Sequence, residues 1–323
     1  MQTITGTKLK GDMSKCKLKE QEAWLTTHDQ IRLHYKVSGS GPVDYLLFDG
    51  IGCDGFIWSY IKPYLEETGR VIHLHMRGHG QSDNPSDLAT LNIDYLISDW
   101  MQLLDLEKIT QKKSTKKKRK STRPIVGLAH SMGVQVALEL RGRTPQLPWT
   151  GLIMMCGTFE HTATNLYDNS MIERVLPLLN KAAQIGGSRL HRVWQKMVNL
   201  PLAVHVARAT EMSADLTRKR DIERYLSHLG RMQPKVFLTL LQNMSQHSCR
   251  AVLSDIDTPT LVIAGQLDHF TPPRLSIELD HLLLDSELLM LEEGTHSAPI
   301  EQTIEVNQCI RRFLAERIFE TNA

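Results

Sequence analysis

The sequence predicts a doubly wound α/β fold, a mostly parallel sheet with helices on both faces, carrying a helical cap inserted late in the chain. Three observations predict it. Short apolar runs alternate with helical periodicity between residues 43 and 156, at lengths that fit βαβ crossovers. Strand signals then vanish between Glu160 and Cys249, where amphipathic helical patterns take over. They return in the stretches 258–268 and 287–296, each an apolar run that ends in Gly and then polar residues.

In chain order, residues 24–37 read as strand material turned at His28-Asp29-Gln30, and Ser38-Gly39-Ser40-Gly41-Pro42 breaks it. A short strand over 43–48 follows, then a helical stretch over 56–67, a strand over 70–76 and a helix over 91–108. Beyond a basic run, Pro124-Ile125-Val126-Gly127-Leu128 is strand material, residues 132–140 have a helical pattern, and 149–156 form the next strand. The late block shows helices at 172–185, 190–200, 221–229 and 233–244. A doubly wound sheet needs one crossover helix per connection, so the surplus must rise from the C-terminal edge of the sheet and lie over whatever is built there. The organisation expected is a basic tail over 1–21, a core formed by 22–159 with 250–323, a cap over 160–249, and a polybasic loop over 111–123 inserted in the core.

Composition agrees. With 323 residues, 41% hydrophobic and 23% charged, the chain can bury a large core. No apolar stretch approaches the ~20 residues that span a bilayer, so no transmembrane segment is expected. Lys8, Lys10, Lys15, Lys17 and Lys19 precede no apolar run, so the N-terminus does not read as a signal peptide. Cys16, Cys53, Cys156, Cys249 and Cys309 are odd in number and scattered, which suggests reduced thiols and a cytoplasmic location.

Chemistry concentrates at Ala129-His130-Ser131-Met132-Gly133, between a strand and a helix. A serine on such a turn, flanked by small residues, reads as a nucleophile elbow, because the strained turn tolerates no bulk two residues to either side. The elbow presents the hydroxyl at the positive end of the following helix, where developing negative charge is favoured. Such a serine needs an acid and then a histidine, in that chain order. Asp268 follows an apolar strand and Gly265, and His296 follows another strand and Gly294. Both would emerge at C-terminal strand ends, where an open parallel sheet gathers its reactive groups.

On these residues the chain resembles the α/β-hydrolase fold superfamily over residues 22–318. Phe48-Asp49-Gly50-Ile51-Gly52 looks like that family's oxyanion loop, and Arg77-Gly78-His79-Gly80-Gln81-Ser82-Asp83 is similar to the turn after its fourth strand. The chain departs from the usual pattern in carrying Asp49 where His is common and Ala129 where Gly is common. A serine nucleophile argues against the dehalogenase and epoxide-hydrolase members, which carry Asp there. The resemblance implies a Ser131–His296–Asp268 triad, with the backbone N–H groups of Ile51 and Met132 as oxyanion donors and no metal or organic cofactor. Some members place the acid after the sixth strand, where Glu160 is the nearest carboxylate.

The resulting expectation is a serine hydrolase cleaving a small carboxylic ester through an acyl-enzyme. The same triad and cap can support carbon–carbon bond hydrolysis or a thioesterase, and the fold can serve as a ligand receptor with residual catalysis. His73, His75 and His79 offer a metal-like spacing, but Arg77 in the intervening loop disfavours a cation, and His73 and His75 read as residues packed under a helix. His130 reads as structural and Cys53 as a loop residue near the pocket. The run over 112–123 carries eight basic residues and no acidic one; setting these aside from the formal +2 leaves −6 for the remainder. It enters the elbow strand at the end opposite the triad, as a solvated loop, an import signal, or a patch for a weak anionic partner such as lipid or nucleic acid.

Overall fold

A computed structural model describes residues 20–107, 109, 123–160, 171–213 and 215–320. Its centre is an eight-stranded sheet in the order β1-β2-β4-β3-β5-β6-β7-β8. The strands are β1 (Gln21–Thr26), β2 (Arg32–Gly39), β3 (Val43–Phe48), β4 (Gly69–Leu74), β5 (Ile125–His130), β6 (Trp149–Met155), β7 (Thr260–Gly265) and β8 (Ser286–Leu291). β2 pairs antiparallel with β1 and with β4, and every later pairing is parallel.

Every residue of β3, β5 and β7 is buried, which explains why these strands read as continuous apolar runs: helices cover both faces. Alternate side chains supply the two cores. Leu46, Phe48, Ala129 and Met154 point to the side packed by α2 (Ile93–Leu106), α3 (Met132–Arg143) and α9 (Pro273–Leu282). Tyr45, Leu47, Leu128 and Ile153 point to the side packed by α1 (Lys62–Thr68), the short α10 (Ala298–Glu301) and α11 (Thr303–Phe313). α2 begins where the Asn92 side chain accepts hydrogen bonds from the N–H groups of Asp94 and Tyr95, at 3.0 and 3.2 Å.

Two elements differ from the sequence reading. The stretch expected to be helical over 56–67 divides into a 3₁₀ turn, Phe56–Trp58, and α1 from Lys62. Pro63 lies in the first turn of α1, where its missing N–H costs no helical bond, and so sets the start of the helix. Between β6 and β7 the described helices are α4 (Met171–Val198), α5 (Pro201–Thr210), α6 (Lys219–Arg231), α7 (Pro234–Gln246) and the short α8 (Arg250–Leu253). α4 is broken at Gly187, which has φ 48° and ψ −133°, a conformation that favours glycine. α5 was not among the sequence-predicted helices; Pro201 opens it.

This insertion touches loops at the C-terminal ends of the strands. A Cβ on Gly52, after β3, would stand 3.2 Å from Leu229 of α6, and one on Gly78, after β4, would stand 2.5 Å from Val236 of α7. Thr295, after β8, hydrogen-bonds through Oγ1 to the carbonyl of Glu211 at 2.9 Å. The basic run lies outside the described residues except for Arg123, which pairs with Asp44 at 3.1 Å near the start of β3 and β5.

Candidate active site

Ser131 occupies the single residue between β5 and α3, at φ 55° and ψ −124°. A non-glycine residue with positive φ is strained, and such strain persists only where packing enforces it. Here packing does so. A Cβ on Gly133 would come within 2.2 Å of the Phe48 carbonyl, and one on Gly157 within 2.7 Å of the Ser131 carbonyl. The Ser131 N–H donates to the Met155 carbonyl at 3.1 Å, tying the turn to β6.

The structure brings Ser131, Asp268 and His296 together. Ser131 Oγ lies 2.9 Å from His296 Nε2, and His296 Nδ1 lies 2.9 Å from Asp268 Oδ2. An ionised carboxylate only accepts, so Nδ1 carries the proton and Nε2 is left to accept from the serine hydroxyl. Asp268 is itself fixed: Oδ1 accepts from the N–H groups of Phe270 and Thr271 at 2.8 and 2.9 Å, and Oδ2 from the Thr271 hydroxyl at 2.7 Å. Burial alone would push the His296 pKa down, but the charge and hydrogen bond of Asp268, with the carboxylates of Glu211 and Glu301, raise it above the ordinary 6.5.

His130 supports the histidine from below, donating from Nε2 to the His296 carbonyl at 2.9 Å. Burial, and then the neighbouring His296, push the His130 pKa down to about 4, so it stays a neutral donor. Glu160, the other carboxylate considered from sequence, is turned elsewhere: it accepts from the Ser248 hydroxyl at 2.6 Å and pairs with Arg250 at 2.7 Å.

The loop after β3 lies against Ser131, since a Cβ on Gly50 would stand 2.8 Å from its Cβ. Asp49 anchors this loop. Its carboxylate accepts from Trp58 Nε1–H at 2.6 Å and contacts His73 Nε2 at 2.7 Å. Although burial pushes the Asp49 pKa up, His73 and the two hydrogen bonds hold it below the usual carboxylate value. Gly52 has φ 75°, turning the loop back. Met132 is the first residue of α3, so its N–H has no intrahelical acceptor.

The three histidines considered for a metal go to separate partners. His73 meets Asp49, His75 meets His34 at 3.2 Å, and His79 donates from Nδ1 to the Arg77 carbonyl at 3.2 Å. The His73 ring packs against Gly55, the residue that opens the 3₁₀ turn Phe56–Trp58: a Cβ there would fall 2.4 Å from the ring. Arg77 is fully buried and bridges Asp99 of α2, at 2.6 and 2.8 Å, to Asp29 at 2.9 Å; the Arg-Gly-His-Gly turn is a brace. Among the described residues, Glu139, His247 and Cys249 have mutual metal-ligand reach. His247 and Arg143 already satisfy that carboxylate, at 2.9 and 2.8 Å, and a guanidinium at the site opposes a cation.

Sequence reasoning missed Glu211, Thr271 and the partners of Asp49. Glu211 and the partners of Asp49 act across contacts between separate elements, for which no short motif exists, whereas Thr271 lies three residues beyond Asp268, and its hydroxyl was the local signal available. Cys53, placed near the pocket from sequence, lines a cavity of about 40 Å³ with Gly52, His79, His228 and Met232.

The profile of the Hydrolase_4 family, described as serine aminopeptidase, S33, matches residues 60–303. The chain belongs to this family. Membership of the S33 family, together with the sheet, gives the chain the α/β-hydrolase fold. It is 29% identical over 165 residues to an uncharacterized protein of Mycobacterium tuberculosis, covering 48% of this chain and 43% of that one, so it spans less than half the length of that relative. It is 22% identical to a pimeloyl-[acyl-carrier protein] methyl ester esterase of Stenotrophomonas maltophilia, over 88% of this chain and 96% of the esterase. The crystal structure of the enol-lactonase from Burkholderia xenovorans LB400 superposes with a TM-score of 0.71 at 18% identity, over 91% of this chain and 100% of that one, a likeness of fold. No described helix is long and apolar enough to cross a membrane.

Proposed function

We propose that this S33-family hydrolase cleaves a small carboxylic ester through an acyl-enzyme formed on Ser131. The observation that carries the reading is the unbroken relay from Ser131 Oγ to His296 to Asp268, with both links at 2.9 Å. His296 Nε2 takes the hydroxyl proton as Oγ attacks the ester carbonyl, and Asp268 stabilises the imidazolium that forms. The proton then passes to the departing alcohol. Water, activated by the same histidine, hydrolyses the acyl-enzyme and restores the serine.

The tetrahedral oxyanion falls to the backbone N–H groups of Met132, at the positive end of α3, and of Ile51 in the Asp49-anchored loop. Each such donor contributes on the order of 3 kcal/mol in the transition state. The helices between β6 and β7 act as a cap that restricts access: their contacts with Gly52, Gly78 and Thr295 support that role. The chemistry drawn here uses side chains and backbone alone, without a cofactor.

The test is a panel of p-nitrophenyl esters of increasing acyl length, with the corresponding thioester and an amino-acid amide as competing arms. Ester turnover should dominate, and Ser131→Ala should lower kcat by ~10⁴-fold or more. Amide turnover exceeding ester turnover, or a folded Ser131→Ala protein of near-normal activity, would overturn the proposal.

A further inference from the structure

The outward side of the insertion carries a feature that the ester chemistry does not use. Val175, Leu178, Leu179, Ala182 and Ile185 recur every three or four residues along the first half of α4, so they form one stripe. They are exposed, Leu178 at 69% and Ile185 at 79%. The opposite face of the same helix is already packed. Leu176, Asn180 and Ala183 are buried there, and Asn180 bonds Gln242 and Thr239 of α7 at 2.8 and 3.0 Å. Beyond the Gly187 break Val193, Met197, Leu200 and, on α5, Leu202 at 65% are exposed as well. An exposed apolar stripe of this length marks an interaction site.

Charge identifies the partner. Residues 171–210 hold six Lys and Arg against one acidic residue, in a chain whose formal charge is only +2. Arg174 and Lys181 fall along one border of the stripe by helical spacing. Arg189, Arg192 and Lys196 line an open groove of about 750 Å³ together with Val193 and Leu200. Two copies of this chain meeting through the face would bring their cations together, which disfavours self-association. A lipid surface satisfies both demands at once: the acyl region takes the leucines and anionic head groups take the guanidinium and ammonium groups. No described helix is fit to span a bilayer, so the helices would lie in the plane of its surface.

We propose that the outer face of α4 and the start of α5 docks on an anionic lipid surface. The cap would then rest on the membrane while Ser131 stays beneath it. This inference does not depend on the ester chemistry.

Co-sedimentation of the full chain with vesicles tests it, comparing phosphatidylcholine alone with phosphatidylcholine mixed with phosphatidylglycerol. Binding to the mixed vesicles is expected, weakened by added salt, and reduced about tenfold or more by Leu178→Glu with Ile185→Glu. The basic run over 112–123 could attract anionic vesicles by charge alone, and the apolar substitutions leave it intact. Undiminished binding by the double variant therefore overturns the proposal, as does equal binding to neutral vesicles or none at all. Leu202→Glu on α5 serves as an independent variant should the first lose its melting transition. Equilibrium sedimentation without vesicles completes the experiment: a dimer abolished by Leu178→Glu, with no vesicle binding, would assign the face to a second copy of the chain. Turnover of a soluble ester, measured on the same variants, reports separately on Ser131.

Discussion

Ser131 is held by local constraints: a strand, a strained turn with small neighbours and a helix all fall within one short window. Asp268 and His296 each follow a strand and a glycine, and a parallel sheet gathers such loops at one edge. The groups that surround them come from farther along the chain. Trp58 and His73 reach Asp49 from nine and 24 residues away, and Glu211 comes from the insertion, contacts that no spacing encodes. Glu211 gives the residue-scale prediction. A base must be neutral to act, so with the His296 pKa raised above 6.5, kcat/KM should fall on acidification with a midpoint above that value. The same raised pKa means that His296 contributes stability at pH below its unfolded value, lost as pH rises through the native one. Burial comes first in raising the pKa of Glu211 itself, yet when ionised its charge helps lift that of His296. Glu211→Gln should accordingly move the acid limb of kcat/KM to lower pH; a limb that stays put or moves upward contradicts the electrostatic link between the insertion and the histidine.

At the scale of elements, the buried strands were the most legible parts of the chain, because two covered faces leave an uninterrupted apolar run. Helix boundaries were less so. Pro63 delays α1, and Gly187 breaks α4 in a segment whose apolar periodicity continues on both sides. The helix Pro201–Thr210 escaped notice because its apolar residues include an exposed set, Leu202 at 65% among them, and so lack the sided pattern of a core-facing helix. The junction of β5 and α3 carries a sharper demand. With Phe48 and Asp49 carbonyls 2.2 and 2.8 Å from where a Gly133 Cβ would sit, α3 could not approach β3 with any side chain there. Gly133→Ala should cost ~1–3 kcal/mol of stability, the range for overpacking a tight site, and should lower activity by moving Ser131. Unchanged denaturant midpoint and unchanged turnover would show that the helix can shift without cost.

Over the whole molecule, the doubly wound plan and the late helical insertion follow from the alternation of elements and the uneven charge from the sequence itself, whereas the exposure of the apolar side of α4 takes the structure to see. The +2 total conceals the basic run over 112–123, of which the described Arg123 pairs with Asp44, and a basic, apolar outer face on α4. Arg123 precedes Ser131 by eight residues of extended chain, about 26 Å at ~3.3 Å per residue. Deleting 112–122 should therefore leave kcat/KM for a neutral ester unchanged, and a large loss in a folded deletion protein would place the run near the chemistry. The central claim is that Ser131 is a nucleophile activated by His296. The most direct measurement is labelling by a fluorophosphonate probe, followed by mass spectrometric mapping of the modified peptide, in the parent chain and in His296→Ala. The account predicts a single phosphonylated residue, Ser131, and labelling slowed by orders of magnitude without the histidine. Modification of another residue, or labelling of Ser131 that is indifferent to His296, would contradict it.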